Sequence, residues 1–222
     1  MYYAIKRVMT EKLTETEARI VGALVEKHLT TPEYYPLTLN ALVAACNQKT
    51  NREPVTSYTE QIVQQTLDDL REKNLVYVFY GSTSRVPKYK HIFGDYFELE
   101  SSEIAVLCVL MLRGAQTLGE LRERTHRLYE FSGIGEVNET LDNLSRRDES
   151  LVVKLERQAG QKEARFAHLL SGEIASYQPP ERVSRSTAND ERFEKLENEI
   201  ESLRSELSAF RQEFEEFKKQ FE

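Results

Sequence analysis

The side chains in this chain that could do chemistry are few and scattered. His28, His91, His126 and His168 are far apart, and none stands in a Glu-x-x-His or Cys-x-x-Cys spacing that would gather metal ligands on one face. Cys46 and Cys108 sit in apolar surroundings with no histidine nearby, which predicts buried free thiols in a reducing compartment. Gly133-Ile134-Gly135 does not complete a phosphate-cradling loop, and no Ser or Cys stands in a nucleophile-elbow sequence. No enzymatic activity, metal or cofactor is expected. What remains is a polar, cationic set in the first third. Lys49, Asn51 and Arg52 precede a helix carrying Gln61, Gln64 and Gln65, and Arg85, Lys88 and Lys90 follow it. Amide side chains in that pattern can read adenine edges, and the cations can neutralise phosphates.

The elements that must position this set are marked by their capping chemistry. A Ser or Thr oxygen that accepts a free N–H, answered by Glu three residues on, predicts helix starts at Thr14/Glu17, Ser57/Glu60 and Thr117/Glu120. The spacing predicts helices over 14–28, 38–46 and 57–73, the last with Val63, Leu67 and Leu70 inward, then a hairpin over 75–80 and 85–91. The pattern then repeats. Thr66-Leu67-Asp68-Asp69-Leu70 returns as Thr140-Leu141-Asp142-Asn143-Leu144, Val63 as Val137, and Leu75-Val76-Tyr77-Val78 as Leu151-Val152-Val153-Lys154. Helices over 101–112 and 117–126 precede the repeat, and a strand over 164–169 closes it. Each half reads helix, helix, helix, hairpin, the order of a winged helix. The fold class expected is mainly α with small β-hairpins (α+β): two tandem winged-helix domains, 1–92 and 93–172, a polar linker over 173–190, and a coiled-coil helix over 191–222.

In that last segment Phe193, Leu196, Ile200, Leu203, Leu207, Phe210, Phe214, Phe217 and Phe221 recur at alternating steps of three and four, a heptad seam for self-association. Arg192, Glu199, Glu206 and Glu213 at g face Glu197, Arg204, Arg211 and Lys218 at e with opposite sign when two copies run parallel. A parallel homodimer is the expected state, with a trimer left open by the bulky phenylalanines.

Charge limits the partners. The 222 residues carry a net −7, divided as +2 over 1–92, −5 over 93–175 and −4 over 176–222, so polyphosphate binding must come from a local patch in the first third. The longest apolar run, residues 104–112, is far short of the roughly 20 residues that span a bilayer, and no secretory layout opens the chain, so a cytoplasmic protein without membrane contact is expected.

Four stretches resemble the YceH family of bacterial proteins: Thr30-Thr31-Pro32-Glu33-Tyr34-Tyr35-Pro36, Cys46-Asn47-Gln48-Lys49-Thr50-Asn51-Arg52-Glu53-Pro54-Val55, Arg113-Gly114-Ala115-Gln116-Thr117-Leu118-Gly119-Glu120-Leu121-Arg122, and Leu128-Tyr129-Glu130-Phe131. The resemblance runs over 14–172 and includes the heptad tail. It implies a tandem winged-helix fold, and brings no established function, cofactor or assigned site. The residues themselves point to a dimeric DNA-binding protein, such as a transcriptional regulator, acting through its first half. The alternative is a winged-helix adaptor that binds another protein, as acidic subunits of chromosome-condensation complexes do, with no direct DNA contact.

Overall fold

The computed structural model describes residues 12–80, 86–157 and 163–173. The heptad residues Phe193 to Phe221, the linker beyond Glu173, and Arg85 lie outside the described residues. Thr14 opens the first helix, α1 (Glu15–Thr30), through the expected box. Its hydroxyl accepts from Glu17 N at 3.1 Å, and the Glu17 carboxylate accepts from Thr14 N at 2.7 Å. Because α1 is buried all round from Glu17 to Glu26, it is the central helix rather than a surface one.

A 3₁₀ turn, Pro32–Tyr34, leads to the short strand β1 (Leu37–Thr38) and then α2 (Leu39–Cys46), where Thr38 is both strand end and N-cap. The helix α3 (Glu60–Glu72) buries Val63, Thr66, Leu67 and Leu70. Its start differs from the expected Ser57: Thr59 caps it, accepting from Ile62 N at 3.3 Å, and the Ser57/Glu60 box is not the one that forms. β2 (Val76–Phe79) and β3 (Lys88–His91) pair antiparallel, and β1 adds to β3, giving the order β1-β3-β2 with β2 at an edge.

The second half repeats this plan. After the short α4 (Phe93–Phe97) come α5 (Ser101–Arg113), α6 (Leu118–Thr125) capped by Thr117, and α7 (Ile134–Ser145). β4 (Val152–Lys154) and β5 (Phe166–His168) form the second hairpin, and Gln116, just before α6, bridges to Phe166 as β1 bridges to β3. Val137, Leu141 and Leu144 are fully buried, as are their counterparts Val63, Leu67 and Leu70. The described residues are therefore mixed helix with small antiparallel sheets, α+β.

The two halves share one hydrophobic core. α1 lies along α5, and Ile20, Leu24, Leu107, Leu110, Val137 and Leu141 belong to a single cluster. Gly22 allows that approach: a Cβ there would come within 2.9 Å of Leu112 Cδ2. Among the described residues no helix is long and apolar enough to cross a membrane.

Candidate functional site

The loop between α2 and α3 carries most of one of the two ten-residue runs of the resemblance, and its polar side chains turn inward to build the loop itself. Asn47 accepts from Tyr58 N and donates to Tyr58 O, both at 2.8 Å, closing the loop as a backbone pair would. Arg52 was expected at a phosphate; it is instead an interior residue. Its guanidinium is fully buried, forks onto the Glu26 carboxylate of α1 at 2.6 and 3.1 Å, and donates to Ala45 O at the end of α2 at 2.8 and 3.1 Å. Every carbonyl and carboxylate it meets belongs to the fold, so no donor is left for an external phosphate. Asn51, in the left-handed region at φ 59°, accepts from Arg113 at 2.9 Å, and Glu53 N donates to Leu112 O at 2.9 Å. The loop thus ties α1, α2 and α5 together. Lys49 alone of its three candidate residues stays exposed and free of such bonds.

The third helix and the sheet do not present one shared surface. Tyr89, buried on the inner face of β3, donates its hydroxyl to Gln64 Oε1 at 3.0 Å, and Gln64 in turn lies 3.4 Å from Asp68. Gln65 donates to Asp69 at 3.3 Å, while Gln61 is exposed. Side chains alternate along a strand, so Lys88 and Lys90, on either side of Tyr89, point to the opposite face of the sheet from Gln64. There they stand across from Phe79 and Tyr77 respectively. Tyr77 is 47% exposed, Phe79 49% and Tyr80, at the end of the strand, 65%. The outer sheet face is thus aromatic on the edge strand and cationic on the central one. In the second half Arg165 is spent on Glu120, at 2.7 and 3.2 Å, and on Ala115 O.

A second cationic place lies away from the sheet and α3. The ends of α1, α5 and α6 and the loop after α2 enclose a cavity of about 520 Å³. Lys27, Arg113, Arg124 and Arg127 line it, with Glu26 and Glu123 as the acids. Counting charge by halves hid it, because three of these cations come from the half with net −5. The available signal is local: Arg122 and Arg124 fall in the second half of the helix expected over 117–126, and Arg127 follows its end.

No group of His, Cys, Asp or Glu suited to a metal ion occurs among the described residues. Both cysteines are buried and unpaired; burial pushes the Cys46 thiol up to about 12 and the Cys108 thiol higher, so neither is primed as a nucleophile.

The family described as "Protein of unknown function, DUF480" matches residues 13–161. Curated relatives agree with it. A UPF0502 protein of Opitutus terrae is 54% identical over 164 residues, covering 73% of this chain and 71% of the relative. One from Pectobacterium atrosepticum is 47% identical over 201 residues, covering 86% and 94%. The UPF0502 protein YceH of Salmonella arizonae is 46% identical over 200 residues, covering 86% and 93%. With its matched span reaching from the cap of α1 past the first strand of the second hairpin, the chain belongs to the UPF0502 (DUF480) family, that of YceH.

Proposed function

We propose that this protein is a non-catalytic cytoplasmic adaptor, a tandem winged-helix chain that binds an extended acidic segment of a protein partner on its first sheet and pairs in parallel with its own copy through residues 191–222. The winged-helix assignment is supported by the order α1, β1, α2, α3, β2, β3, by the β1-β3-β2 sheet, and by its echo in the second half.

The observation that carries the partner reading is the outer face of that sheet. Tyr77, Phe79 and Tyr80 put aromatic surface into water on an edge strand, a combination that marks recognition surfaces and open strand edges. A segment added to β2 would hydrogen-bond along that edge. Its apolar side chains would meet Tyr77 and Phe79, and its carboxylates Lys88 and Lys90.

Direct binding of duplex DNA is the second reading, favoured by Lys49 in the loop before α3 and by Gln61 in the first, positive turn of that helix, both exposed. A fluorescence-anisotropy titration against random duplex at about 50 and about 200 mM salt separates the two. The adaptor reading expects no duplex binding at either salt. Affinity that falls steeply with salt, weakens in Lys49→Glu and is untouched by Phe79→Glu would move the function to DNA.

A further inference from the structure

The cavity between the ends of α1, α5 and α6 is unaccounted for by a partner surface on the first sheet. Its charge is unbalanced in a particular way. Of its two acids, Glu26 is held by the buried fork of Arg52 at 2.6 Å and lies 3.6 Å from Lys27, which leaves Glu123 against Arg113, Arg124 and Arg127. The cations are also held in place by neutral groups. Asn51 Oδ1 fixes Arg113 at 2.9 Å, and Gln116 Oε1 accepts from Arg124. Glu120 lies 3.7 Å from Arg124 but is engaged more closely by Arg165 at 2.7 Å. Arg127 is exposed and has no ion-pair partner among the described residues. Guanidiniums positioned by amide oxygens keep their full charge for a ligand. Burial first, and then the like charge of Arg124, draws the Arg113 pKa down; an anion seated between them would relieve both.

We propose that this cavity binds a small metabolite carrying a phosphate or pyrophosphate group, clasped between the two halves of the molecule. The volume of about 520 Å³ lies within the usual range for small-molecule sites. The forked donors of Arg113, Arg124 and Arg127 match phosphate oxygens, and Lys27 adds a point charge from α1. Val109, Leu112 and Leu128 give the non-ionic part of the ligand an apolar wall. Among the described residues the lining includes no Phe, Tyr or Trp, so a base could stack only on the exposed His126 ring or an arginine plane, and a compact phosphorylated metabolite fits better than a nucleotide. Since the walls come from α1 and the loop after α2 on one side and from α5 and α6 on the other, an occupant would fasten the halves together.

Inorganic phosphate and pyrophosphate are the probes, titrated into the full-length chain and followed by calorimetry and thermal melting, with sulfate and chloride at matched ionic strength. Pyrophosphate is expected to bind saturably and raise the melting temperature. Arg127→Gln, which removes an exposed side chain with no ion-pair partner among the described residues, is expected to weaken it about tenfold, and Lys27→Gln similarly. Arg146→Gln, an exposed arginine outside the cavity, serves as the control and leaves the affinity unchanged. A rise of the same size with chloride, or an affinity indifferent to Arg127→Gln and Lys27→Gln, overturns the proposal. So does displacement of pyrophosphate by random duplex at lower concentration with the same dependence on Arg127, which would make the cavity rim a contact for nucleic-acid backbone.

Discussion

Arg52 shows how far a residue's type can mislead about its use. In the sequence it stands beside Lys49 and Asn51 in an exposed-looking polar run, the composition of a phosphate contact. Its partner, Glu26, lies 26 positions earlier on the buried side of α1. The sign of that pairing was present but easily passed over: a carboxylate four residues after Gly22, on the most enclosed stretch of the central helix, requires an interior cation. Arg52→Ala should cost about 3–5 kcal/mol in urea unfolding, because it strands Glu26 in the core, whereas Arg52→Met combined with Glu26→Leu should recover most of the loss. A small loss in the single variant would remove Arg52 from this role. Two histidines set a pH limit of similar origin. His91 accepts from Phe93 N at Nδ1, so its proton sits on Nε2, 3.1 Å from His28 Nδ1. Burial, then His28 and Lys90, lower its pKa from 6.5 to about 3, and burial takes His168, whose Nδ1 is enclosed without a hydrogen-bond partner, to about 4. Below about pH 6.5 the unfolded chain binds protons the folded chain refuses, so stability falls with pH toward those values, by up to about 1.4 kcal/mol per pH unit for each group. Unfolding curves at pH 7 and 5.5 should differ accordingly, and His168→Gln should remove its own share, leaving that of His91 and of His28, which burial and Lys90 also lower.

At the level of elements, the hairpins and most helices were legible because their signals are local. A Thr hydroxyl capping a helix, or a stripe at 3.6-residue spacing, needs no distant partner to be recognised. The start of α3 is the exception, since Ser57 and Thr59 both offer hydroxyls before the same apolar stripe. The loop clamp of Asn47 onto Tyr58 holds the chain extended past Ser57 and leaves the first free N–H groups to Thr59. Thr59→Ala should therefore cost about 1 kcal/mol and Ser57→Ala close to nothing, measured by thermal or urea unfolding. Equal losses would return the cap to Ser57. β1, with two residues, and α4, with five, had no sequence signal because such short elements exist only through what they pack on. The site fared worse than the elements for the same reason. Strand alternation carries Lys88 and Lys90 to the far side of the sheet from Gln64, a consequence of register that a string of residue types does not display.

At the scale of the whole molecule, one core spans both halves of the described residues, and the proposed functions rest on what that core holds in place: an aromatic and cationic sheet face, and a cationic cavity where the halves meet. Charge summed over segments obscured both, because the sum hides where positive side chains converge. Self-association adds a further level. A heptad seam with complementary e and g charges predicts that sedimentation of the full chain gives a dimer, and that Leu203→Asp gives a monomer whose body remains folded. A monomeric parent chain would contradict that pairing. The outer face of the first sheet, and not the polar face of α3, is the surface proposed to meet the partner. The most direct test places a photo-reactive benzophenone amino acid at position 79, and separately at position 61, in the full-length chain inside its native cells. The account expects a discrete protein adduct from position 79 that disappears when Lys88→Glu and Lys90→Glu are combined, and none from position 61. An adduct from position 61 alone, sensitive to nuclease, would contradict it.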